Sequence, residues 1–219
     1  MAGLELLDEI QFSDWRVDSL AIEGSVGWVS GSGLTAIDLA NPHSLRVAGG
    51  PYGNVPDGQL TVANGYIYIT SWPNVHVYRN TLPPTFERSY EFKGRESVAV
   101  GSWLFIASSD PRGLKIVDMA NPRSAAVVAN VPLALQASPM HLIASEMLIY
   151  VADDRGAVHI VDVAAPRNAR ILWSLNVGWI VHSMSKSGNL FAAGTDAGVY
   201  LYDIPDDRIG QPELLSHID

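Results

Sequence analysis

A ten-residue segment recurs five times along the chain, and its spacing restricts the fold more than any other feature. The clearest copy, residues 113–122, reads GLKIVDMANP. An aspartate occupies its sixth position, and an arginine replaces it in the second copy, so that the steps between copies are 41, 39, 44 and 41 residues, at Asp38, Arg79, Asp118, Asp162 and Asp203. A repeat of about 40 residues made of short apolar runs is typical of a β-propeller, with one blade per repeat.

Each copy combines the signals of a turn, a buried strand and a strand end. A small residue or asparagine precedes a run of β-branched, aromatic or aliphatic residues, which suits a turn that leads into a buried strand. The aspartate can accept hydrogen bonds from backbone N–H groups of the next turn, and a proline follows it in four of the five copies. Since apolar runs on both sides predict four strands per repeat, we predict an all-β fold, a five-bladed β-propeller of four-stranded antiparallel blades, in one domain over residues 1–219.

The two ends of the chain resemble each other. Residues 4–10 read LELLDEI and residues 212–218 read PELLSHI, and both have the pattern of an outer strand, which is one outer strand too many for five blades. We predict that residues 4–10 pair with residues 198–203, because propellers commonly join both ends of the chain in one blade and so avoid a free strand edge. The alternative is that residues 212–218 take that place.

Composition limits the classes of partner. With 14 Lys and Arg against 23 Asp and Glu, the net charge of −9 argues against nucleic acid and against an anionic membrane surface. The chain has no Cys, which excludes disulfides and thiolate chemistry. The first ten residues lack a basic, apolar leader, so we expect a cytoplasmic location, or a secreted one if a leader has been removed.

The repeated elements resemble those of the LVIVD-repeat β-propellers of bacteria and archaea. The resemblance rests on Gly-Leu, Ile-Val-Asp and Asn-Pro, is best in residues 103–122 and 148–166, and is weakest in the second repeat. It implies a surface or scaffold-type propeller, often secreted and usually without a known activity, and it brings no catalytic motif. A monomer or homodimer that binds a protein partner or a small molecule is the expectation that follows.

The candidate site is the face on which the loops before the first strand and between the second and third strands emerge together, because binding sites of propellers gather around the channel mouth. Alignment of the repeats places a ring of Asp18, Gly58, Glu96, Met140 and His182 there, followed by a ring of Ser19, Gln59, Ser97, His141 and Ser183. These residues bind either a ligand or the backbone of neighbouring blades and channel water. The predicted ligand-binding residues are Trp15, Asp18, Trp72, Arg112, Arg155 and Trp179.

The leading functional hypothesis is a non-catalytic module that holds a protein partner or small ligand at this face. The alternative is an enzyme acting on a small organic molecule, with His182, His141 and Glu96 as acid/base groups. A metal-assisted variant is compatible with the positions, but no ligand motif supports it, and we predict no metal and no cofactor. Whether the protein is an enzyme stays open.

One further position is polar in every copy. The third residue of the repeated segment is Thr35, His76, Lys115, His159 or Tyr200. We interpret these as hydrated positions near a loop.

Overall fold

The computed structural model of the chain describes residues 5–12, 16–53, 55–133, 137–205 and 210–218. Within these segments, twenty strands form five four-stranded sheets, each a set of four consecutive strands, and every pairing between neighbouring strands within a sheet is antiparallel. This is the organisation that the 40-residue step predicts. Among these residues no helix is long and apolar enough to cross a membrane.

The chain divides into two compact units, Met1–Glu91 and Phe92–Asp219. The first unit holds sheet 1, whose strands are β1 (Val17–Glu23), β2 (Val26–Gly31), β3 (Gly33–Asp38) and β4 (Arg46–Tyr52). It also holds sheet 2, with β5 (Gln59–Ala63), β6 (Tyr66–Ser71), β7 (Asn74–Arg79) and β8 (Thr85–Tyr90). The expectation of one domain over the whole chain stays a prediction.

The second unit holds the remaining three sheets. Sheet 3 consists of β9 (Gly94–Val100), β10 (Trp103–Ser109), β11 (Arg112–Asp118) and β12 (Ala126–Val131). Sheet 4 consists of β13 (Pro139–Ser145), β14 (Leu148–Asp153), β15 (Ala157–Asp162) and β16 (Arg170–Asn176). Sheet 5 consists of β17 (Val181–Ser187), β18 (Leu190–Thr195), β19 (Gly198–Asp203) and β20 (Glu213–Ile218). Two short 3₁₀ turns, Pro122–Ser124 and Pro166–Asn168, follow β11 and β15.

Sheet 4 is buried on both faces, which explains why its inner strands are continuously apolar. One face of it contributes Ile149 and Val151 to a core shared with sheet 3, and the other contributes Tyr150 and Ile160 to a core shared with sheet 5. The Tyr150 ring stacks on Phe191 at a centroid distance of 5.1 Å. In the first unit the corresponding core lies between sheets 1 and 2 and includes Trp28, Leu34, Leu60, Ile67, Ile69 and Tyr78.

The predicted turn-capping role is confirmed for three of the four repeat aspartates, and it does not extend in this form to Asp203, because residue 205 is a proline without an N–H. Oδ1 of Asp38, Asp118 and Asp162 accepts a hydrogen bond of 3.0 Å from the backbone N–H two residues later. Arg79 replaces the aspartate in sheet 2 and forms an ion pair with Glu87, whereas Asp38 pairs with Arg46 at 2.7 Å. The degenerate second copy therefore reverses the charges of a cross-strand pair.

The predicted pairing of the N-terminal run with the last repeat is wrong. β20 pairs with β19, so residues 213–218 are the outer strand of sheet 5. Residues 5–12 form no strand. Oδ2 of Asp8 instead accepts a hydrogen bond of 2.7 Å from the backbone N–H of Leu45, which places the N-terminal segment beside the start of β4.

Candidate functional site

The loops that the sequence assigns to one face do contact each other in the second unit. The backbone N–H of Ser109, at the end of β10, donates to the carbonyl oxygen of Lys93, which precedes β9, at 3.0 Å. Ser138, which precedes β13, donates its N–H to Oδ1 of Asp154 at 2.8 Å, and the N–H of Val177 donates to the carbonyl of Gly156 at 2.9 Å. The connection into a first strand and the loop between second and third strands therefore emerge together.

The aligned polar positions coincide with irregularities in the first strands. The register of β1 shifts between Val17 and Ser19, that of β13 between Pro139 and His141, and that of β17 between Val181 and Ser183. The shift in β9 lies before Ser97. Such bulges change the direction of side chains beside functional sites and sheet edges. Four of the five positions predicted from the sequence, Asp18, Glu96, Met140 and His182, thus lie at bulges, whereas Gly58 precedes β5, whose pairing shows no register shift.

Glu96 and His141 form an ion pair between two neighbouring first strands. Nδ1 of His141 lies 3.3 Å from Oε2 of Glu96, and the same oxygen accepts a hydrogen bond of 2.9 Å from the N–H of Leu142. The hydrogen bond to Glu96 raises the pKa of His141 although burial acts in the opposite direction. Oγ of Ser19 accepts the N–H of Leu60 at 2.9 Å in the first unit. Both links agree with the interpretation that these polar residues bind the neighbouring sheet.

Glu96→Gln is expected to lower the pKa of His141 toward its ordinary value near 6.5, because the attraction to the carboxylate is lost. Titration of the imidazole by NMR measures this change, with Glu146→Gln at the other end of β13 as the control. A raised folded-state pKa contributes stability that is present below the unfolded-state pKa and disappears as pH rises through the folded-state value. Because the pair is partly exposed, that contribution is under about 1 kcal/mol. An unchanged pKa in the variant would show that Glu96 does not hold His141.

The second predicted acid/base histidine has a separate partner. Nε2 of His182 lies 2.9 Å from Oδ1 of Asp196, and both side chains are exposed. Within the described segments, no group of three or more His, Asp or Glu side chains could hold a metal ion. His141 and His182 thus each interact with a carboxylate of their own.

Trp179 is the most exposed apolar feature among the predicted residues of the second unit. Its exposed fraction is 52%, and that of the adjacent Ile180 is 45%. A Cβ at Gly156, whose φ is +80°, would lie 2.7–2.9 Å from backbone atoms of Trp179, so the loop before β15 holds the Trp179 backbone closely. Arg155, one residue before Gly156, and Arg112, at the start of β11, are exposed.

Three of the predicted ligand-binding residues, Trp15, Asp18 and Trp72, belong to the first unit. Trp72, in the turn after β6, is 66% exposed. Asp18 accepts a hydrogen bond from Nε of Arg16, beside Asp57, Gly58 and Gln59, with which they line a small polar cleft. Trp15 lies outside the described residues.

The interpretation of the third-residue positions as hydrated is wrong for three of the five. Thr35, Lys115 and His159 are only 1%, 6% and 4% exposed, because each lies within a strand that is covered on both faces. Nζ of Lys115 donates to the carbonyl oxygens of Phe92 at 2.6 Å and Asp110 at 3.3 Å, and burial lowers the pKa of Lys115. The sequence signal for these buried polar residues was the polar residue at the third position of every copy of the otherwise apolar strand.

A second feature that the sequence did not reveal is an open cleft of about 890 Å³ in the first unit. Its lining combines prolines and aromatic rings with His76, whose pKa burial lowers; the residues are Pro51, Tyr52, Gly53, Val55, Pro56, His76, Tyr78, Pro84 and Phe86.

Residues 96–132 and 139–172, in sheets 3 and 4, match the family model of the LVIVD repeat. These two segments are LVIVD repeats. The resemblance inferred from GLKIVDMANP and AVHIVDVAAP is confirmed for this part of the chain. No match is found among curated proteins.

Several solved structures share the fold. A functionally unknown protein from Desulfotomaculum acetoxidans aligns with a TM-score of 0.75 and 14% identity over 94% of this chain and 71% of that chain. The β-propeller domain of Cps50 (Swd1) from Myceliophteria thermophila gives 0.67 and 14% over 93% and 74%. BamB from Moraxella catarrhalis gives 0.58 and 17% over 88% and 60%.

Identities this low establish the fold alone. Together with the five sheets, they show that the LVIVD repeats lie within an all-β five-bladed β-propeller, as predicted.

Proposed function

We propose that the chain is a non-catalytic binding module that engages a protein partner through one face of its second unit. This loop face is the one on which the connections into the first strands and the loops between second and third strands emerge. The supporting observation is the exposed Trp179–Ile180 pair, in which the Trp179 backbone lies against Gly156. An exposed aromatic side chain on a backbone that is already held loses less conformational entropy on binding than one on a free loop. Tryptophan and arginine are the residue types that most often dominate the binding energy of protein interfaces.

The charged groups around this pair suit recognition by a protein surface. Arg155 is exposed one residue from Gly156, and the His182–Asp196 pair lies at the start of sheet 5, just after Ile180 in the chain. An apolar centre with polar, solvent-accessible groups around it is the usual anatomy of an interface. The enzymatic alternative has weaker support, because Glu96 already binds His141 and the N–H of Leu142.

Trp179→Ala is expected to weaken capture of the partner at least about tenfold, as for other central interface aromatics. The immobilised chain would be incubated with extract of its source cells, and bound proteins would be quantified by mass spectrometry. Met147→Ala is the matched control, because Met147 is 46% exposed in the turn between β13 and β14, at the other end of sheet 4. Circular dichroism verifies that both variants fold.

The proposal requires a protein that the wild type and Met147→Ala retain and Trp179→Ala releases. Equal retention by a folded Trp179→Ala variant would refute it. Loss in Met147→Ala alone would place the interface at the opposite end of the sheets. Saturable binding of a small metabolite, abolished by Trp179→Ala in the absence of any protein partner, would assign the face to a small ligand instead.

A further inference from the structure

Three side chains of sheet 4 form a continuous Ser–His–Asp relay. Nδ1 of His159, on β15, lies 2.8 Å from Oγ of Ser174, on β16, and Nε2 of the same ring lies 3.2 Å from Oδ2 of Asp153, at the end of β14. The exposed fractions of Asp153 and His159 are only 1% and 4%, whereas Ser174 is exposed. The relay therefore runs from a buried carboxylate to a hydroxyl that solvent and reagents can reach.

The surroundings of Asp153 keep its carboxylate charged. Burial on its own would raise the pKa of Asp153, but hydrogen bonds from His159 and from the backbone N–H groups of Ala157 and Arg155 outweigh it and lower the pKa. Both N–H groups donate to Oδ1 at 2.9 Å. Since a carboxylate can only accept hydrogen bonds, the proton of His159 is held on Nε2. Nδ1 is then available to accept the Ser174 O–H, so histidine stands to serine as base to nucleophile, with the two ring nitrogens exchanged relative to hydrolytic triads, where serine bonds Nε2 and aspartate bonds Nδ1.

Sheet 2 has a histidine and a serine at the equivalent positions but no aspartate, and so provides an internal comparison. His76 of β7 lies opposite Ser89 of β8 in the register, as His159 lies opposite Ser174. The residue at the end of β6, equivalent to Asp153 at the end of β14, is Ser71. The two serines share their blade position and their register opposite a histidine, and Ser174 differs by the 2.8 Å contact to its histidine and by the carboxylate behind that ring.

We propose that Ser174 is a nucleophile that accepts acyl groups from activated esters, with His159 as general base and Asp153 as the residue that positions His159. Oγ of Ser174 attacks the acyl carbon while its proton moves to Nδ1 of His159. The bond from the acyl carbon to the leaving oxygen then breaks, and the leaving group departs with that proton as a neutral alcohol or phenol. The product is Ser174 carrying the acyl group as an ester.

The magnitude of general-base assistance decides the class of donor. Such assistance typically accelerates a reaction about 10²–10⁴-fold. This acceleration is enough for an aryl ester with a good leaving group and too small by itself for an amide. Ser174 lies on the exposed outer strand of its sheet, so the donor needs no enclosed pocket. This acylation ends at the acyl-serine without catalytic turnover, and it is independent of the proposed partner binding at the loop face.

p-Nitrophenyl acetate is the probe that tests the proposal. The full chain would be treated with a limiting amount, and acetylation of the Ser174 and Ser89 peptides would be followed by mass spectrometry in the same sample. We expect Ser174 to react at least about 100-fold faster than Ser89, because Ser174 contacts a histidine that Asp153 positions as general base, whereas no carboxylate occupies the equivalent position behind His76. Asp153→Asn should bring the rate of Ser174 close to that of Ser89, and Ser174→Ala should remove the fast phase of p-nitrophenol release.

Equal rates at Ser174 and Ser89 in the folded wild type would overturn the proposal. So would an unchanged Ser174 rate in a folded Asp153→Asn variant, because a purely structural carboxylate would not alter the reactivity of a hydroxyl two residues away in the relay. If Asp153→Asn does not fold, the ratio of the two serines in the wild type and the Ser174→Ala variant, whose substitution lies at an exposed position, decide the question.

Discussion

Replacing Trp28 with alanine is expected to lower the free energy of unfolding by about 3–5 kcal/mol. The side chain is fully buried in the core between sheets 1 and 2, so its removal leaves a cavity. Its Nε1–H also donates to Oδ1 of Asn80 at 2.8 Å, and Asn80 in turn donates to Oε2 of Glu23 at 2.7 Å. The alanine variant leaves that amide oxygen without its donor. Urea denaturation followed by circular dichroism measures the loss.

The chain contains a matched control for this substitution. Trp72 lies in the same unit and is 66% exposed, so Trp72→Ala deletes the same side chain with an expected cost under about 1 kcal/mol. Trp28→Phe, which keeps most of the ring and loses the N–H, is expected to fall between the two. A Trp28→Ala variant as stable as Trp72→Ala would mean that the two sheets of the first unit do not depend on this contact.

The repeat alone was sufficient to predict the sheets, because its signals are local. The aspartates at positions 38, 118 and 162 cap turns two residues away, and such short-range hydrogen bonds depend on the neighbouring residues only. The exception in sheet 2 has a local explanation as well, since Arg79 and Glu87 pair across β7 and β8 with charges opposite to those of Asp38 and Arg46 across β3 and β4.

The local sequence pattern could not decide which of the two terminal runs becomes the outer strand of sheet 5. Their sequences are nearly equivalent, and hydrophobic pattern cannot rank them. The run at residues 213–218 follows β19 after a short connection, whereas residues 4–10 are separated from it by nearly the whole chain. Closing the longer loop costs about 2–3 kcal/mol more in chain entropy. That difference favours the hairpin between β19 and β20 that the structure contains.

The relay of sheet 4 could not be found by counting residues. The register between β15 and β16 shifts between Ile160 and Val161, and one inserted residue moves every later side chain to the other face of the sheet. The sequence showed that His159 belongs to a polar series but not that Ser174 lies opposite it. The sequence grouped Glu96 and His141 at one face but did not predict their direct contact, since the registers of β9 and β13 shift beside these positions.

Asp153→Ala is expected to lower the free energy of unfolding by about 3 kcal/mol at neutral pH. The substitution leaves the buried Nε2–H of His159 and the N–H groups of Arg155 and Ala157 without their acceptor, and breaking a buried pair from one side costs several kcal/mol. Asp154→Ala is the matched control. Asp154 is exposed and caps the single N–H of Ser138, so its loss should cost about 1 kcal/mol or less.

The pH dependence of the difference in unfolding free energy between wild type and Asp153→Ala shows whether Asp153 stabilises the fold through its charge or through packing. The pKa of Asp153 is lower in the folded protein than its ordinary value of 3.8, so the folded state binds fewer protons than the unfolded state in the interval between the two values. The stability that Asp153 contributes is therefore fully present above the unfolded-state pKa and is lost as pH falls through the folded-state pKa. The gap between wild type and Asp153→Ala should stay constant above about pH 5 and narrow below it. A gap that does not change down to the acid limit of folding would show that packing, not charge, fixes His159.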